Sequence, residues 1–218
     1  MSPYPLVARQ HETAEVAPAA LGRRLALLCA AGSAVLTLLP ACSRGVGDAP
    51  APGAASTTPS VDAARLAFDA TARGTGFVVG QAMAAREVRV FFDPQCPHCA
   101  TLWTASRPLH DRIRMVWMPV AFIAPTSGPQ GALLLASADA ARAMDQHETL
   151  LASGQGGLAV PGPADAGLLA KIKANTEIWR ELKAESVPHM VYRVGATGPY
   201  GVQSGGLPTA QLAQMLQL

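Results

Sequence analysis

The stretch FFDPQCPHC, residues 91–99, decides the fold, because a run of strand-forming residues (88–92) ends there in a turn that carries two cysteines. We predict that Cys96 and Cys99 lie in the first turn of a helix that extends to about Arg107. The free N–H groups and the positive dipole end of a helix stabilise a thiolate. A spacing of three places both sulfurs on one side of the helix, within reach of a disulfide. The pattern therefore indicates redox chemistry.

The N-terminal segment has the features of an export signal. A pair of arginines precedes a largely apolar run, residues 25–39, and the sequence Leu-Pro-Ala-Cys at residues 39–42. The run describes a secretory signal and is short for a transmembrane helix, which needs about 20 apolar residues. Leu-x-Ala-Cys also resembles the bacterial lipobox, whose cysteine becomes the lipidated first residue. We expect residues 1–42 to be a signal peptide with lipidation at Cys42; simple cleavage near Ala41 or an uncleaved anchor are the alternatives.

Composition divides the rest of the chain into a tether and one domain. Residues 43–60 are mostly Ala, Pro, Gly, Ser and Thr, which cannot bury a core and predict a flexible tether. Residues 61–218 have the length of one domain. The chain carries 17 Lys and Arg against 15 Asp and Glu, without a basic stripe, so nothing points to nucleic acid.

The cysteine count limits metal and disulfide sites. There are four cysteines, and export with lipidation of Cys42 would leave Cys96 and Cys99 as the only thiols. That leaves no structural disulfide framework and no four-cysteine zinc site. A Cys2His2 site would have to recruit two histidines from among His98, His110, His147 and His189, without finger-like spacing. We therefore expect no metal and no other cofactor.

Hydrophobic periodicity predicts alternating strands and helices. The predicted strands are residues 77–79, 87–92, 113–122, 190–194 and 200–203. The predicted helices are residues 61–72, 96–107, 132–143, 144–151, 164–184 and 208–216, with a loop at residues 154–163. This order gives an α/β fold, a mixed sheet with helices on both faces.

A strand that delivers Cys-x-x-Cys to a helix, followed much later by a proline at the start of a strand, resembles the thioredoxin fold. The matching proline is Pro188 in SVPHMVY, residues 186–192. The resemblance implies a thioredoxin-like fold with a helical insertion between the central strand and the proline strand. It also implies that Pro188 is cis and faces the cysteines; an ordinary trans proline at a strand start is the alternative.

The motif FDPQCPHC, residues 92–99, resembles the Asp-Pro-x-Cys-x-x-Cys signature of the periplasmic disulfide isomerases DsbC and DsbG. The similarity continues through WMPVAF at residues 117–122, the 154–157 loop, Asn175 and VPHMVYR at residues 187–193. It thus covers residues 77–218. The resemblance implies a thiol:disulfide interchange protein with a DsbG/DsbC-like catalytic domain.

Two features depart from that family. The isomerases carry an N-terminal dimerisation domain, whereas only a tether and one helix precede the first strand here, so we expect that domain to be absent and the chain to be a monomer. Val187 stands where the isomerases have Thr. Cys-Pro-His-Cys combined with Val before the proline instead resembles DsbA, the oxidase.

The expected chemistry is thiol exchange through a mixed disulfide. We expect Cys96 to be exposed and to be the nucleophile, and Cys99 to be buried and to resolve the mixed disulfide. Pro97 suits the first helical turn, and a protonated His98 would stabilise the Cys96 thiolate; an exposed spacer is the alternative for His98. Asp93 is expected to cap the turn or the helix. The sequence offers no candidate for a buried acid beside the resolving thiol.

The resemblance also implies how partners bind. The backbone of Val187 beside Pro188 would pair with a client strand, which gives a sequence-tolerant groove. We expect an exported, lipid-anchored thiol:disulfide oxidoreductase and isomerase of the periplasm. Its expected partners are periplasmic proteins with cysteines and a membrane redox partner that recharges the dithiol. The alternatives are a DsbA-like oxidase in net direction and a non-catalytic, lipid-tethered binding module or holdase.

Overall fold

The structure, a computed structural model, describes residues 60–218, which lie within one compact unit of the chain. The predicted signal peptide, the lipobox cysteine Cys42 and nearly all of the predicted tether lie outside the described residues. Within residues 60–218, no helix has the length and apolar character that crossing a membrane requires.

In residues 60–218, five strands form one mixed sheet. In chain order they are β1 (Phe77–Gly80), β2 (Glu87–Phe92), β3 (Arg114–Pro119), β4 (His189–Arg193) and β5 (Tyr200–Ser204). Their order across the sheet is β1-β3-β2-β4-β5, with β2 and β3 parallel and the other neighbours antiparallel. Central β2 therefore ends beside the start of β4, where Phe91 is paired with His189. This arrangement brings the Cys-x-x-Cys turn next to Pro188.

The α-helices cover both faces of this sheet. They are α1 (Val61–Ala70), α2 (Pro97–Ser106), α3 (Ser127–Ala136), α4 (Ala140–Ala152), α5 (Ala166–Glu181) and α6 (Thr209–Met215). On one face, Arg89 of β2 lies over the Phe68 ring of α1 at 4.3 Å. On the other face, Trp117 of β3 contacts Trp103 of α2, with ring centroids 5.2 Å apart. Helices α3 to α5 form the helical insertion between β3 and β4, as expected for the thioredoxin-like fold.

The helical insertion begins earlier than predicted and breaks at a different place. The predicted helices 132–143 and 144–151 are wrong in their bounds, because α3 ends at Ala136 and α4 begins at Ala140. Ser137 has extended backbone, and the Asp139 carboxylate accepts a hydrogen bond from the N–H of Arg142 at 3.0 Å. An Asp at this position caps a new helix. The apolar periodicity in the sequence runs across this break, so it did not reveal where one helix ends and the next begins.

Candidate active site

The active-site turn connects β2 directly to α2. The helix begins at Pro97, and Cys96 is its N-cap residue rather than part of its first turn. The N–H of Cys96 donates to the carbonyl of Asp93 at 2.9 Å, and the N–H of Cys99 donates to the carbonyl of Cys96 at 3.0 Å. Proline suits the first helical position because the N–H there has no intrahelical partner. Cys96 therefore stands at the N-terminal end of α2, where the first N–H groups of a helix have no intrahelical partner.

The prediction that Cys96 is exposed is wrong. Only 4% of Cys96 is accessible, and Cys99 is fully buried. The Cys96 Sγ atom lies 3.5 Å from the carbonyl oxygen of Val187, so the segment before β4 covers the sulfur. The Val187–Pro188 peptide bond is cis, as the resemblance implies. Pro97 and His98 are the exposed residues of the motif.

The two thiols have opposite acidities. A hydrogen bond from the Cys99 thiol lowers the pKa of Cys96 from its ordinary value of 9.0 to about 6, although burial opposes this shift. The backbone N–H groups of Cys99 and His98 and the charge of His98 make smaller contributions to the same lowering of the Cys96 pKa. Burial, and then the hydrogen bond and charge of Cys96, raise the pKa of Cys99 far above its ordinary value. At neutral pH the geometry therefore supports a Cys96 thiolate beside a Cys99 thiol.

Asp93 joins the active-site turn to the insertion. Its carboxylate accepts hydrogen bonds from the N–H of Gln95 at 3.0 Å and from the Ser127 hydroxyl at 2.6 Å. The N–H groups of Phe122 and Ile123 donate to its other oxygen at 2.9 and 3.0 Å. Asp93 thus caps the turn, as one of the two sequence alternatives proposed, and it also holds the chain that enters α3.

Glu148 is the acidic residue that the sequence did not reveal. It lies on α4 and is 6% exposed, and its Oε2 atom has no hydrogen-bond partner among the described residues. Burial and the nearby Cys96 charge raise the pKa of Glu148 to about 8, and Glu148 in turn raises the pKa of Cys99. No sequence motif marks this residue; it reaches the thiols because α4 lies beside α2.

The histidines considered as zinc ligands are separated. No group of three or more His, Cys, Asp or Glu side chains in residues 60–218 has an arrangement that could hold a metal ion. His189 bonds Ser204 at 3.1 Å, and burial lowers its pKa to about 4. His110 bonds the Ser106 hydroxyl at 3.1 Å. Each of these two histidines therefore has a hydrogen-bond partner of its own.

Comparison with known proteins agrees with this geometry. Over 140 residues, the chain is 31% identical to the thiol:disulfide interchange protein DsbG of Pseudomonas aeruginosa, covering 63% of this chain and 53% of that protein. The sequence is similar to that of DsbG. The DsbG of Escherichia coli is also 31% identical over 107 residues, which cover 48% of this chain and 42% of the relative. The chain thus spans about half the length of the curated relatives that it matches, and no family model matches it.

A solved structure supports the fold. The catalytic domain of Proteus mirabilis ScsC superposes with a TM-score of 0.56 at 17% identity, covering 72% of this chain and 96% of that domain. The expected thioredoxin-like fold and the resemblance to DsbG are therefore confirmed.

Proposed function

We propose that this protein is a thiol:disulfide oxidoreductase in which Cys96 exchanges disulfides with client proteins and Cys99 resolves the mixed disulfide. The observation that carries the proposal is the placement of the pair: Cys96 is the N-cap residue of α2, its sulfur lies 3.5 Å from the carbonyl oxygen of Val187, and Cys99 is fully buried. In agreement with this placement, the pKa of Cys96 is lowered to about 6, whereas that of Cys99 is raised. A thiol is nucleophilic as its thiolate, and a thiolate of low pKa is also the better leaving group. The similarity to DsbG supports the same activity.

In the oxidising direction, a client thiolate attacks the Cys96 sulfur of the Cys96–Cys99 disulfide. The Cys96–Cys99 bond breaks, Cys99 leaves as a thiolate and takes up a proton, and a mixed disulfide forms. A second client thiolate then attacks the client sulfur, and Cys96 leaves as a thiolate. Two electrons pass from the client to the pair, and the client gains one disulfide. The reducing direction runs the same steps backwards.

Glu148 is the proposed proton exchanger for Cys99. Resolution requires Cys99 to lose its proton, and burial makes an unaided loss unfavourable. The thiolate of Cys96 is one of the two causes that raise the pKa of Glu148. A mixed disulfide removes that charge, so Glu148 ionises more readily at the stage when an acceptor is needed. Its Oε2 atom, which has no hydrogen-bond partner within residues 60–218, is free to take the proton.

Val187 and Pro188 are the proposed client-binding residues. Pro188 has no N–H to donate, and in residues 60–218 the N–H of Val187 has no hydrogen-bond partner. Because the Val187 carbonyl lies 3.5 Å from the Cys96 sulfur, a client backbone that pairs with Val187 would run beside the nucleophile. Recognition through backbone groups tolerates many client sequences. The exposed Pro97 and His98 complete the surface around the sulfur.

The favoured direction is oxidation, because stabilising the Cys96 thiolate stabilises the reduced pair and makes the disulfide more oxidising. An oxidant needs to be recharged, which we assign to a membrane redox partner. We further propose export to the periplasm, a lipid anchor at Cys42 and a monomeric state. Isomerase activity is then expected to be weak, because no second subunit would help to hold a misfolded client.

Iodoacetamide labelling of the reduced full-length chain tests the mechanism. At mildly acidic pH, mass spectrometry should find Cys96 modified well before Cys99, and Cys96→Ser should abolish oxidation of a dithiol peptide. The matched variant Cys99→Ser should still form the mixed disulfide and should accumulate it. Equal labelling of both thiols, or labelling of Cys96 only at alkaline pH, contradicts an activated nucleophile.

A separate measurement tests the anchor. Mass spectrometry of the protein purified from membranes should show an acylated N-terminal Cys42, and Cys42→Ser should release the protein from the membrane. A mature chain that starts elsewhere, without acylation, rules out the lipoprotein assignment and leaves the redox assignment unaffected.

A further inference from the structure

His147 holds the active-site turn from outside the thioredoxin-like sheet. It lies on α4 and is fully buried. The N–H of Leu158 donates to its Nδ1 atom at 3.1 Å, so Nδ1 carries no proton. The Nε2 atom must then carry the proton, and it donates to the carbonyl oxygen of Pro94 at 2.7 Å. Burial lowers the pKa of His147, in agreement with this neutral form.

Two glutamines, Gln95 and Gln130, hold the same turn at the residue that follows Pro94. The side-chain amide of Gln95 donates to the carbonyl of Gly156 at 2.9 Å and also to the Gln130 side chain. The amide of the buried Gln130 donates to the carbonyls of Gly156 and Leu158 at 2.7 and 3.0 Å. We call His147, Gln130 and Gln95 the insertion clamp. It joins α3, α4 and the loop after α4 to the residues immediately before Cys96.

Gly157 shows how closely the loop approaches the imidazole. Its φ of 83° lies in the left-handed region, and a Cβ atom at this position would stand 2.4 Å from the Cε1 atom of His147. A side chain here would therefore push the imidazole away from Pro94. The loop supplies the carbonyl groups that accept the glutamine hydrogen bonds. Its close approach to the imidazole is possible because Gly157 has no side chain.

We propose that His147 is a positioning residue: as a neutral donor to Pro94, it fixes the turn from Asp93 to Cys96 so that the sulfur meets its stabilising N–H groups. This inference rests on the proposed function, since it assigns the cause of Cys96 reactivity to a residue of the insertion. The Cys99 thiol and the backbone N–H groups of Cys99 and His98 can lower the pKa of Cys96 only while the turn keeps the sulfur at the N-terminal end of α2. Without the donor, the Pro94 carbonyl is buried and unpartnered, and the turn shifts to satisfy it.

The test compares two substitutions of His147 in the reduced full-length chain. His147→Leu removes both hydrogen bonds, whereas His147→Gln keeps an amide N–H where Nε2 now donates. The rate of Cys96 alkylation by iodoacetamide at pH 5, read by mass spectrometry, reports the thiolate fraction. We expect His147→Leu to lower the rate by about tenfold, which corresponds to a pKa raised by one unit, and His147→Gln to stay within about twofold of wild type. His110→Leu, which removes a histidine hydrogen bond outside the clamp, should leave the rate unchanged.

The outcomes are separable. An unchanged rate in a folded His147→Leu variant overturns the positioning role, and so does an equal loss in His147→Gln and His147→Leu, which indicates packing alone. If His147→Leu does not fold, the half-buried Gln95→Met decides: a rate about threefold lower supports the clamp, and a wild-type rate refutes it. A wild-type Cys96 that is unreactive at pH 5 contradicts the proposed function itself.

Discussion

The hydrogen bond from Cys99 is the main source of Cys96 acidity, so replacing Cys99 should make Cys96 a weaker acid. The fall in the pKa of Cys96 from 9.0 to about 6 corresponds to about 4 kcal/mol in favour of the thiolate. Several groups share this energy, and Cys99 is the largest contributor. We expect Cys99→Ala to raise the pKa of Cys96 by at least about one unit, or about 1.4 kcal/mol. Cys99→Ser keeps a hydroxyl donor, so the pKa of Cys96 in this variant should lie between the values in wild type and in Cys99→Ala.

Alkylation of Cys96 at several pH values, followed by mass spectrometry of its peptide, measures this change and excludes signal from the other cysteines. At pH 5, where the wild-type thiol is already mostly protonated, Cys99→Ala should react about tenfold more slowly. If Cys99→Ala and wild type have the same titration curve, the helix end and His98 must carry the effect, and the reasoning from Cys99 fails.

The same shift has a consequence for stability. Because the pKa of Cys96 in the folded state lies below its ordinary value, the stabilisation of the reduced fold is complete above pH 9 and is lost as the pH falls through about 6. The reduced protein should therefore become less stable on mild acidification through this group, and Cys96→Ser should lose that dependence.

Three further predictions concern Glu148, Asp93 and the assembly. The pKa of Glu148 is raised to about 8, so the free energy of unfolding should fall by up to about 1.4 kcal/mol per pH unit between its ordinary pKa and that value. Glu148→Gln should remove this decline and slow resolution of the mixed disulfide by about tenfold; a wild-type pH profile would contradict both. Asp93→Ala should cost about 3 kcal/mol or more in chemical denaturation, because it leaves three backbone N–H groups and the Ser127 hydroxyl without their acceptor. The exposed Asp111→Ala is the control, and equal stability of the two variants would refute the role of Asp93. Sedimentation should find a monomer with weak activity on scrambled ribonuclease and a reduction potential well above the roughly −270 mV of thioredoxin; a stable, active dimer would overturn this expectation.

The features that could be predicted from the sequence are those that neighbouring residues determine. The β2 strand, the Cys-x-x-Cys turn and α2 follow one another within residues 87–106, and each has a local signal: strand-forming residues, a turn, and Pro97 at the first helical position. The cis peptide bond before Pro188 was also predictable, because the position of this proline relative to the cysteines resembles a known fold. The prediction therefore succeeded for the central sheet and for the turn that leads into α2.

The features that were missed depend on how the insertion lies against the sheet. Glu148 and His147 are ordinary residues of an amphipathic helix, and nothing local shows that α4 brings them to Pro94 and the thiols. The exposure of Cys96 was misjudged for a similar reason, because Val187, which covers it, lies 91 residues away in the chain. Long-range contacts of this kind leave no periodic pattern in the sequence.

The four hydrogen bonds of Asp93 imply that the catalytic turn and the insertion open together. Amides that share one acceptor lose protection from hydrogen exchange in one event, since breaking the carboxylate away frees all of them. The amides of Gln95, Phe122 and Ile123 should therefore have a common protection factor, although the first precedes Cys96 and the other two precede α3. Any motion that admits a bulky client at the turn would then also open the segment that enters the insertion. A client bound at the turn would slow hydrogen exchange at the turn and in that segment.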